Sequence, residues 1–215
     1  MDQVLNEVEV RVLGVLMEKE MSTPEYYPLS LHALAAGCNQ KSSREPVVDY
    51  DEKTVARALE TLREKQLVYT APGARVPRYG NNFTKLHKLL NKEAAVLCVL
   101  LLRGPQTAGE LRTRTERLFK FGALAEVEQT LADLAELKFV TTLPRQPGRK
   151  EPRHAQLLAG PPDASASAEP RPEPATLEVR AENDRLTLFE QDLASLRQEI
   201  DELKQAFLDF KKQFE

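Results

Sequence analysis

The chain has 215 residues, of which 41% are hydrophobic, 29% are charged and 6% are aromatic, with a formal net charge of −3. These values exclude the strongly basic composition of a nucleic-acid coat protein, so any binding of nucleic acid has to come from local basic patches. The apolar runs are too short to cross a bilayer, and the acidic start MDQVLNEVEV lacks the features of a signal peptide. We therefore expect a cytoplasmic protein that contacts no membrane.

The first part of the chain predicts three helices followed by a β-hairpin. Apolar residues at helical spacing, bounded by turn signals, place the helices at 5–20, 30–37 and 51–66. The strands of the hairpin are predicted at 67–71 and 75–79. They are joined by Pro72 and Gly73, which suit the two central positions of a type II turn.

The same order of elements is predicted again after a connecting helix at 83–90. Thr107 and Glu110 have the spacing of a capping box, which marks the start of a helix. A second hairpin is predicted to turn near Pro147 and Gly148. The helices are placed at 91–103, 108–119 and 124–138, and the strands at 139–144 and 153–158.

An internal repeat supports this double arrangement. Residues 12–16 (VLGVL) align with 96–100 (VLCVL), and residues 52–70 align with 124–142. The two alignments differ in offset by about a dozen residues, so the first copy carries an insertion of that size within 20–51. The matched pairs in the longer alignment are Val55 with Val127, Leu59 with Leu131, Leu62 with Leu134, Val68 with Val140 and Thr70 with Thr142.

Three helices followed by a two-stranded hairpin is the order of a winged helix-turn-helix domain. We predict a mainly α fold with small β-hairpins (α+β): tandem winged helix-turn-helix domains plus a C-terminal coiled-coil helix. The predicted divisions are domain 1 at 1–82, domain 2 at 83–159, a Pro/Ala/Ser-rich linker at 160–176 and the coiled coil at 177–215.

The last segment repeats apolar residues every 3.5 positions over five heptads, which is typical of a coiled coil. The charges that flank this seam are opposite in sign for a parallel, in-register pair, as in Arg185 with Glu190 and Glu199 with Lys204. We predict a parallel homodimer, with a trimer as the alternative. The predicted oligomerisation residues are Leu186, Phe189, Leu193, Leu196, Ile200, Leu203, Phe207 and Phe210.

The segment CNQKSSREP (38–46), with LNEVEVRVLGVLMEKEMSTPEYYPLSLHALAAG before it, resembles the YceH-like proteins of bacteria. The resemblance covers about residues 5–158. It implies a tandem winged-helix fold and a bacterial cytosolic protein, and it implies no particular activity.

The chain shows no motif for catalysis. Residues 104–111 (GPQTAGEL) have the glycine spacing of a phosphate-binding loop but lack its Lys-Ser/Thr. His32, His87 and His154 lie in different predicted elements, and the two cysteines, Cys38 and Cys98, lack metal-type spacing and are expected to be buried thiols. We therefore expect a protein that is not an enzyme and binds neither a cofactor nor a metal.

Local basic residues make double-stranded DNA one candidate partner. A winged helix places its third helix in the major groove, and Lys53 and Arg57 lie one turn apart on that helix. The other candidates of the first copy are Lys41, Arg44, Arg75 and Arg78. Those of the second copy are Arg145, Arg149, Lys150 and Arg153.

Two alternatives stay open. The third helix of the second copy is acidic and would be repelled by phosphate, so tandem winged helices and a coil could serve instead as an adaptor for protein partners. The segment 38–46 could contribute to binding, or it could be structural, with Arg44 paired to Glu45 to fix the inserted loop.

Overall fold

The computed structural model describes residues 4–73, 76–145 and 151–161. The predicted seam residues of the coiled coil, from Leu186 to Phe210, lie outside these ranges. The described part is a mixed α/β structure, rich in helix, with two small antiparallel sheets.

The first half begins with α1 and ends with a β-hairpin. Its helices are α1 (Glu7–Ser22), α2 (Leu31–Cys38) and α3 (Glu52–Glu64), and a single 3-10 turn spans Pro24–Tyr26. Its strands are β1 (Leu29–Ser30), β2 (Val68–Ala71) and β3 (Arg78–Asn81), in the spatial order β1-β3-β2. Gly73 has a φ of 82°, as the predicted turn after β2 requires.

The second half repeats the order of helices and hairpin. Its helices are α4 (Phe83–Leu86), α5 (Asn91–Arg103), α6 (Ala108–Arg114) and α7 (Leu124–Glu136), and its paired strands are β4 (Val140–Thr142) and β5 (His154–Gln156). A bridge between Gln106 and His154 occupies the place that the pairing of β1 with β3 has in the first half. The capping box of Thr107 and Glu110 is confirmed.

Two predicted helices extend at least four residues beyond the observed ones and are corrected. Helix α6 ends at Arg114, not at 119, and residues 115–118 form a turn. In this turn the carbonyl oxygen of Thr115 accepts hydrogen bonds from the backbone N–H groups of Leu118 and Phe119 at 2.7 and 2.8 Å. The connecting helix α4 ends at Leu86, not at 90, because Lys88 has a φ of 52°, which no right-handed helix accommodates.

Helices α1 and α5 form the centre of the core. Residues 9–17 of α1 and 93–102 of α5 are buried on every side of their helices, as expected for helices enclosed by other elements. The two helices cross at Gly14, where an added Cβ would lie 2.9 Å from Cδ2 of Leu102. The Cys98 thiol donates to the carbonyl oxygen of Gly14 at 3.4 Å. Gly14 and Cys98 are matching positions of the repeat, so the two copies meet through equivalent residues.

None of the described helices combines the length and the apolar character that a membrane span requires.

Candidate nucleic-acid interface

Helix α3 carries Lys53 and Arg57 on its solvent-exposed side. The helix is capped at its N-terminus by Asp51, whose side chain accepts a hydrogen bond from the backbone N–H of Thr54 at 2.8 Å. The opposite side packs into the core, and this fixes the direction in which the two cations point. The side chains buried on that opposite side are Val55, Ala58, Leu59 and Leu62.

The exposed side of α3 carries charges of both signs. Lys53 and Arg57 lie in its N-terminal half together with Glu52, and the exposed charged residues of its C-terminal half are Glu60, Arg63 and Glu64. Arg57 also lines a shallow groove of about 420 Å³ between α3 and the start of α1. An anionic ligand at the N-terminal half of α3 would therefore contact Lys53 and Arg57.

The loop at 39–51, which precedes α3, is closed by Asn39 and Tyr50. The Asn39 amide donates to the backbone carbonyl of Tyr50, and its oxygen accepts from the Tyr50 backbone N–H, both at 2.8 Å. These two bonds imitate a strand pair and hold the ends of the loop together. Lys41 lies in the exposed part of this loop.

The structure corrects the assignment of Arg44 as a DNA contact. Its side chain is 0% exposed, and its guanidinium binds both carboxylate oxygens of Glu18 at 2.6 and 3.1 Å. It also donates to the carbonyl oxygen of Gly37. The carboxylate that binds Arg44 is thus Glu18 on α1 and not the predicted Glu45. Arg44 cannot reach phosphate from this position, and its role is structural.

A second buried arginine, Arg11, supports the same loop and was missed by the sequence analysis. It is 4% exposed and donates to the carbonyl oxygens of Cys38 and Pro46, one at each end of the segment that contains Arg44. Burial lowers the pKa of Arg11, and the neighbouring Arg44 cation lowers it further. The sequence does contain a signal for this role, a single arginine inside the apolar run EVEVRVLGVL. A cation on a buried helix needs specific acceptors, so its position predicts a structural role.

The hairpin of the first half contributes Arg78. This residue is exposed, and its guanidinium donates to the carbonyl oxygen of Pro28 at 2.9 Å, which leaves other donor groups toward solvent. Arg75 lies outside the described residues. The structure therefore places four of the predicted basic residues at exposed positions: Lys53 and Arg57 on α3, Lys41 in the loop before it and Arg78 on the hairpin.

The basic residues of the second half are less available for binding DNA than those of the first half. Arg145 is exposed, but Arg153 donates to the backbone oxygen of Pro105 at 2.6 Å and to the Glu110 carboxylate at 3.2 Å. Arg149 and Lys150 lie outside the described residues. The pair of Arg153 with Glu110 connects the hairpin to the start of α6, so a structural role already accounts for Arg153.

Helix α7 borders a groove of about 510 Å³ that also touches α6 and the hairpin of the second half. We call this the α7 groove. The part that α7 supplies consists of Leu124, Glu128, Leu131, Ala132 and Ala135. Four of these five side chains are apolar, so the exposed side of α7 differs in character from that of α3.

Among the described residues, no cluster of side chains is suited to metal binding, and neither cysteine thiol is suited to act as a nucleophile. No group of three or more His, Cys, Asp or Glu residues among them could surround a metal ion. Both cysteines are buried. Burial raises the pKa of the Cys38 thiol to about 12 and that of Cys98 well above its usual value. A thiol with such a pKa is protonated at neutral pH and is a poor nucleophile.

We expect both thiols to be unreactive in the native protein. At pH 8, the folded chain should release no thionitrobenzoate from Ellman's reagent over minutes. After unfolding in guanidinium chloride, it should release two equivalents. The Cys38→Ser variant serves as the control and should release one equivalent after unfolding. Rapid reaction of either thiol in the folded protein would contradict the burial described here.

Comparison with known proteins gives a family without an assigned activity. A family model described as "Protein of unknown function, DUF480" matches residues 5–149. Proteins called "UPF0502 protein" from Geotalea uraniireducens and Solibacter usitatus are each 52% identical, over 100% of this chain and 100% of their own length. A UPF0502 protein from Opitutus terrae is 54% identical over 90% of this chain and 84% of its own.

The first two relatives extend the similarity beyond the family model, to residues 150–215. The resemblance to YceH-like bacterial proteins that residues 38–46 indicate is confirmed by these matches. Because neither the family description nor the names of the relatives state a ligand, the function has to be argued from the residues themselves.

Proposed function

The chain belongs to the DUF480 (UPF0502) family, and we propose that it is a tandem winged-helix protein that binds double-stranded DNA through α3 of its first half. The single observation that carries the proposal is the exposure of Lys53 and Arg57, one turn apart, on the third helix of this half.

The arrangement of elements supports the winged-helix assignment. Helices α1, α2 and α3 are followed by the hairpin β2-β3, and β1 joins that hairpin as a third strand. In helix-turn-helix proteins the N-terminal residues of the recognition helix contact base edges in the major groove. Lys53 and Arg57 occupy that part of α3, and Arg78 lies on the hairpin that serves as the wing.

The second half supplies no comparable surface on α7. Its exposed carboxylates include Glu128 and Glu136, and Leu124–Glu136 contains neither lysine nor arginine. Phosphate would repel this helix. DNA binding is therefore assigned to the first half alone, and α5 supports that half by packing against α1.

A parallel homodimer is the proposed oligomeric state, since the heptads at 177–215 carry matching charges for that orientation. Two chains would present two copies of α3. The proline-rich linker at 160–176 separates the heptads from the two halves, so the two reading heads need not follow the symmetry of the coil.

Charge reversal on α3 tests the proposal. We expect the Lys53→Glu/Arg57→Glu variant to bind mixed genomic fragments at least about tenfold more weakly than the unaltered protein at about 50 mM salt. We also expect the slope of log affinity against log salt to fall by about two, since each lost phosphate contact contributes about 0.9. Fluorescence anisotropy at stepped salt measures both quantities.

The matched control is Arg117→Glu/Lys120→Glu, which makes the same change in net charge at exposed positions of the second half. It should retain most of the affinity. Absence of binding by the unaltered protein at about 50 mM salt, or an equal loss in both double variants, would exclude DNA recognition by α3.

An adaptor for protein partners is the second candidate function. The apolar side of α7 favours it, because a DNA-binding surface has no use for exposed leucine and alanine in a groove. The two roles use different halves and are compatible in one chain.

A further inference from the structure

The α7 groove is apolar along its floor and acidic at its rim. Leu131 is buried at the floor, whereas Leu124, Ala132 and Ala135 are exposed along the helix. Two carboxylates, Glu128 and Glu151, also line the groove. Exposed apolar side chains arranged in a concave surface mark a site of interaction more often than isolated ones do.

The internal repeat provides a reference for this surface. The first half carries Glu52, Glu60 and Arg63 at the positions that match Leu124, Ala132 and Ala135. The same face of the same element is thus charged in one copy and apolar in the other. The fold therefore does not require apolar residues there, and their presence on α7 needs another explanation.

The dimensions of the groove fit a helix. From Leu124 to Ala135 the axis of α7 rises by roughly 17 Å, which is about three turns. Ala132 and Ala135 are small, so a second helix could pack against α7 at the short end of the usual interaxial range of about 8–10 Å. An amphipathic helix laid into an apolar groove is a recurrent mode of protein recognition.

The charges define the chemistry of the partner. Glu128 and Glu151 face the groove, and Arg145 is the one cation among its described lining residues. His154 also lines it, and burial lowers the pKa of its imidazole, which makes it neutral at neutral pH. A helix with basic residues beside its apolar stripe is therefore complementary, and an acidic helix is repelled.

We propose that the α7 groove binds an amphipathic helix of a partner protein, with a narrow apolar face flanked by lysine and arginine. The inference deepens the adaptor role and does not depend on DNA binding by the first half. The recognised segment inserts its apolar side chains over Ala132 and Ala135, and its basic residues approach Glu128 and Glu151.

A pair of synthetic peptides tests the proposal on the full chain. The first is a fluorescein-labelled 16-residue helical peptide with leucine and alanine at helical spacing and lysine at the flanking positions. The second has glutamate in place of every lysine. We expect saturable binding of the lysine peptide, measured by anisotropy, and at least about tenfold weaker binding of the glutamate peptide.

Two double variants locate the site. Ala132→Lys/Ala135→Lys blocks the groove and adds like charge, so it should weaken binding of the lysine peptide at least about tenfold. Ala125→Lys/Gln129→Lys adds the same charge at exposed positions of α7 outside the groove and should leave binding nearly unchanged. Lys53→Glu/Arg57→Glu should also leave it nearly unchanged, and this separates the inference from DNA binding.

Several outcomes would overturn the inference. They are failure of the lysine peptide to bind, equal binding of both peptides, and equal loss of binding in the two lysine variants. Light scattering on the free protein gives a further outcome that would overturn the inference. If Ala132→Lys/Ala135→Lys reduces the mass of the free protein and the control does not, the groove is occupied by a second copy of this chain and not by a partner.

Discussion

Replacement of Glu18 by alanine is expected to lower the free energy of unfolding by about 3–5 kcal/mol. The Arg44 guanidinium is fully buried and binds both oxygens of the Glu18 carboxylate. Without Glu18 the cation remains in the interior with only neutral acceptors, which include the carbonyl oxygen of Gly37 and the side chain of Gln40. Urea denaturation followed by circular dichroism measures the change.

Two further variants make this prediction specific. Glu25→Ala removes an exposed carboxylate from the 3-10 turn and should change the stability by less than about 0.5 kcal/mol. Glu18→Leu/Arg44→Leu removes both charges and should be more stable than Glu18→Ala, since no cation is left buried without its partner. A loss below about 1 kcal/mol in Glu18→Ala would show that neutral acceptors are sufficient for Arg44.

Replacement of Gly14 by valine is expected to destabilise the protein by about 3 kcal/mol. An added Cβ would lie 2.9 Å from Cδ2 of Leu102 and 3.1 Å from Cβ of Leu101. Both leucines are buried, and the Cβ of Leu101 is attached directly to its backbone. Helices α1 and α5 would therefore have to move apart at the centre of the core.

The control is the same glycine-to-valine substitution at a position where the added side chain meets no close neighbour. Gly109 lies in α6, and an added Cβ there would lie 3.8 Å from its nearest neighbour, Oε2 of Glu151. The intrinsic helix propensities of glycine and valine differ by less than about 0.5 kcal/mol. Gly109→Val should therefore be nearly neutral. Similar losses in the two variants would mean that helix propensity, and not the crossing of α1 and α5, determines the effect.

Local signals predicted the order of the elements well. The capping box of Thr107 and Glu110, the turn at Gly73 and the start of α5 at Asn91 were all placed correctly, because each depends on residues close together in the chain. The two overlong helices had no such signal at their ends. After α6 the chain forms a turn at 115–118, and an apolar pattern does not reveal this change of backbone conformation.

The sequence could not reveal the partners of the buried arginines. Glu18 and Arg44 are 26 residues apart, and Arg11 binds a carbonyl oxygen 35 residues away. Nothing in a local pattern distinguishes a basic residue that faces solvent from one that faces such a partner. The exposure of Lys53 and Arg57 was easier to predict, because the buried positions of α3 fix its exposed side through the helical period.

The role of the α7 alanines in forming a groove was also not predicted from the sequence. In sequence, Ala132 and Ala135 are good helix formers and nothing more. Their meaning depends on the hairpin of the second half, which encloses one side of α7 and creates a groove. The comparison of Ala132 with Glu60 in the first copy was available from the repeat alone, and it is the signal that would have indicated the groove.

The contact between Gly14 and Cys98 has a consequence for synthesis of the chain on the ribosome. The two residues are 84 positions apart, so α1 emerges long before the helix that covers it. Until α5 appears, the side of α1 that meets Leu101 and Leu102 stays open to water, and exposed apolar surface of this kind promotes association between nascent chains. The first half can form its helices early, but its packing is completed only when the second half has been made.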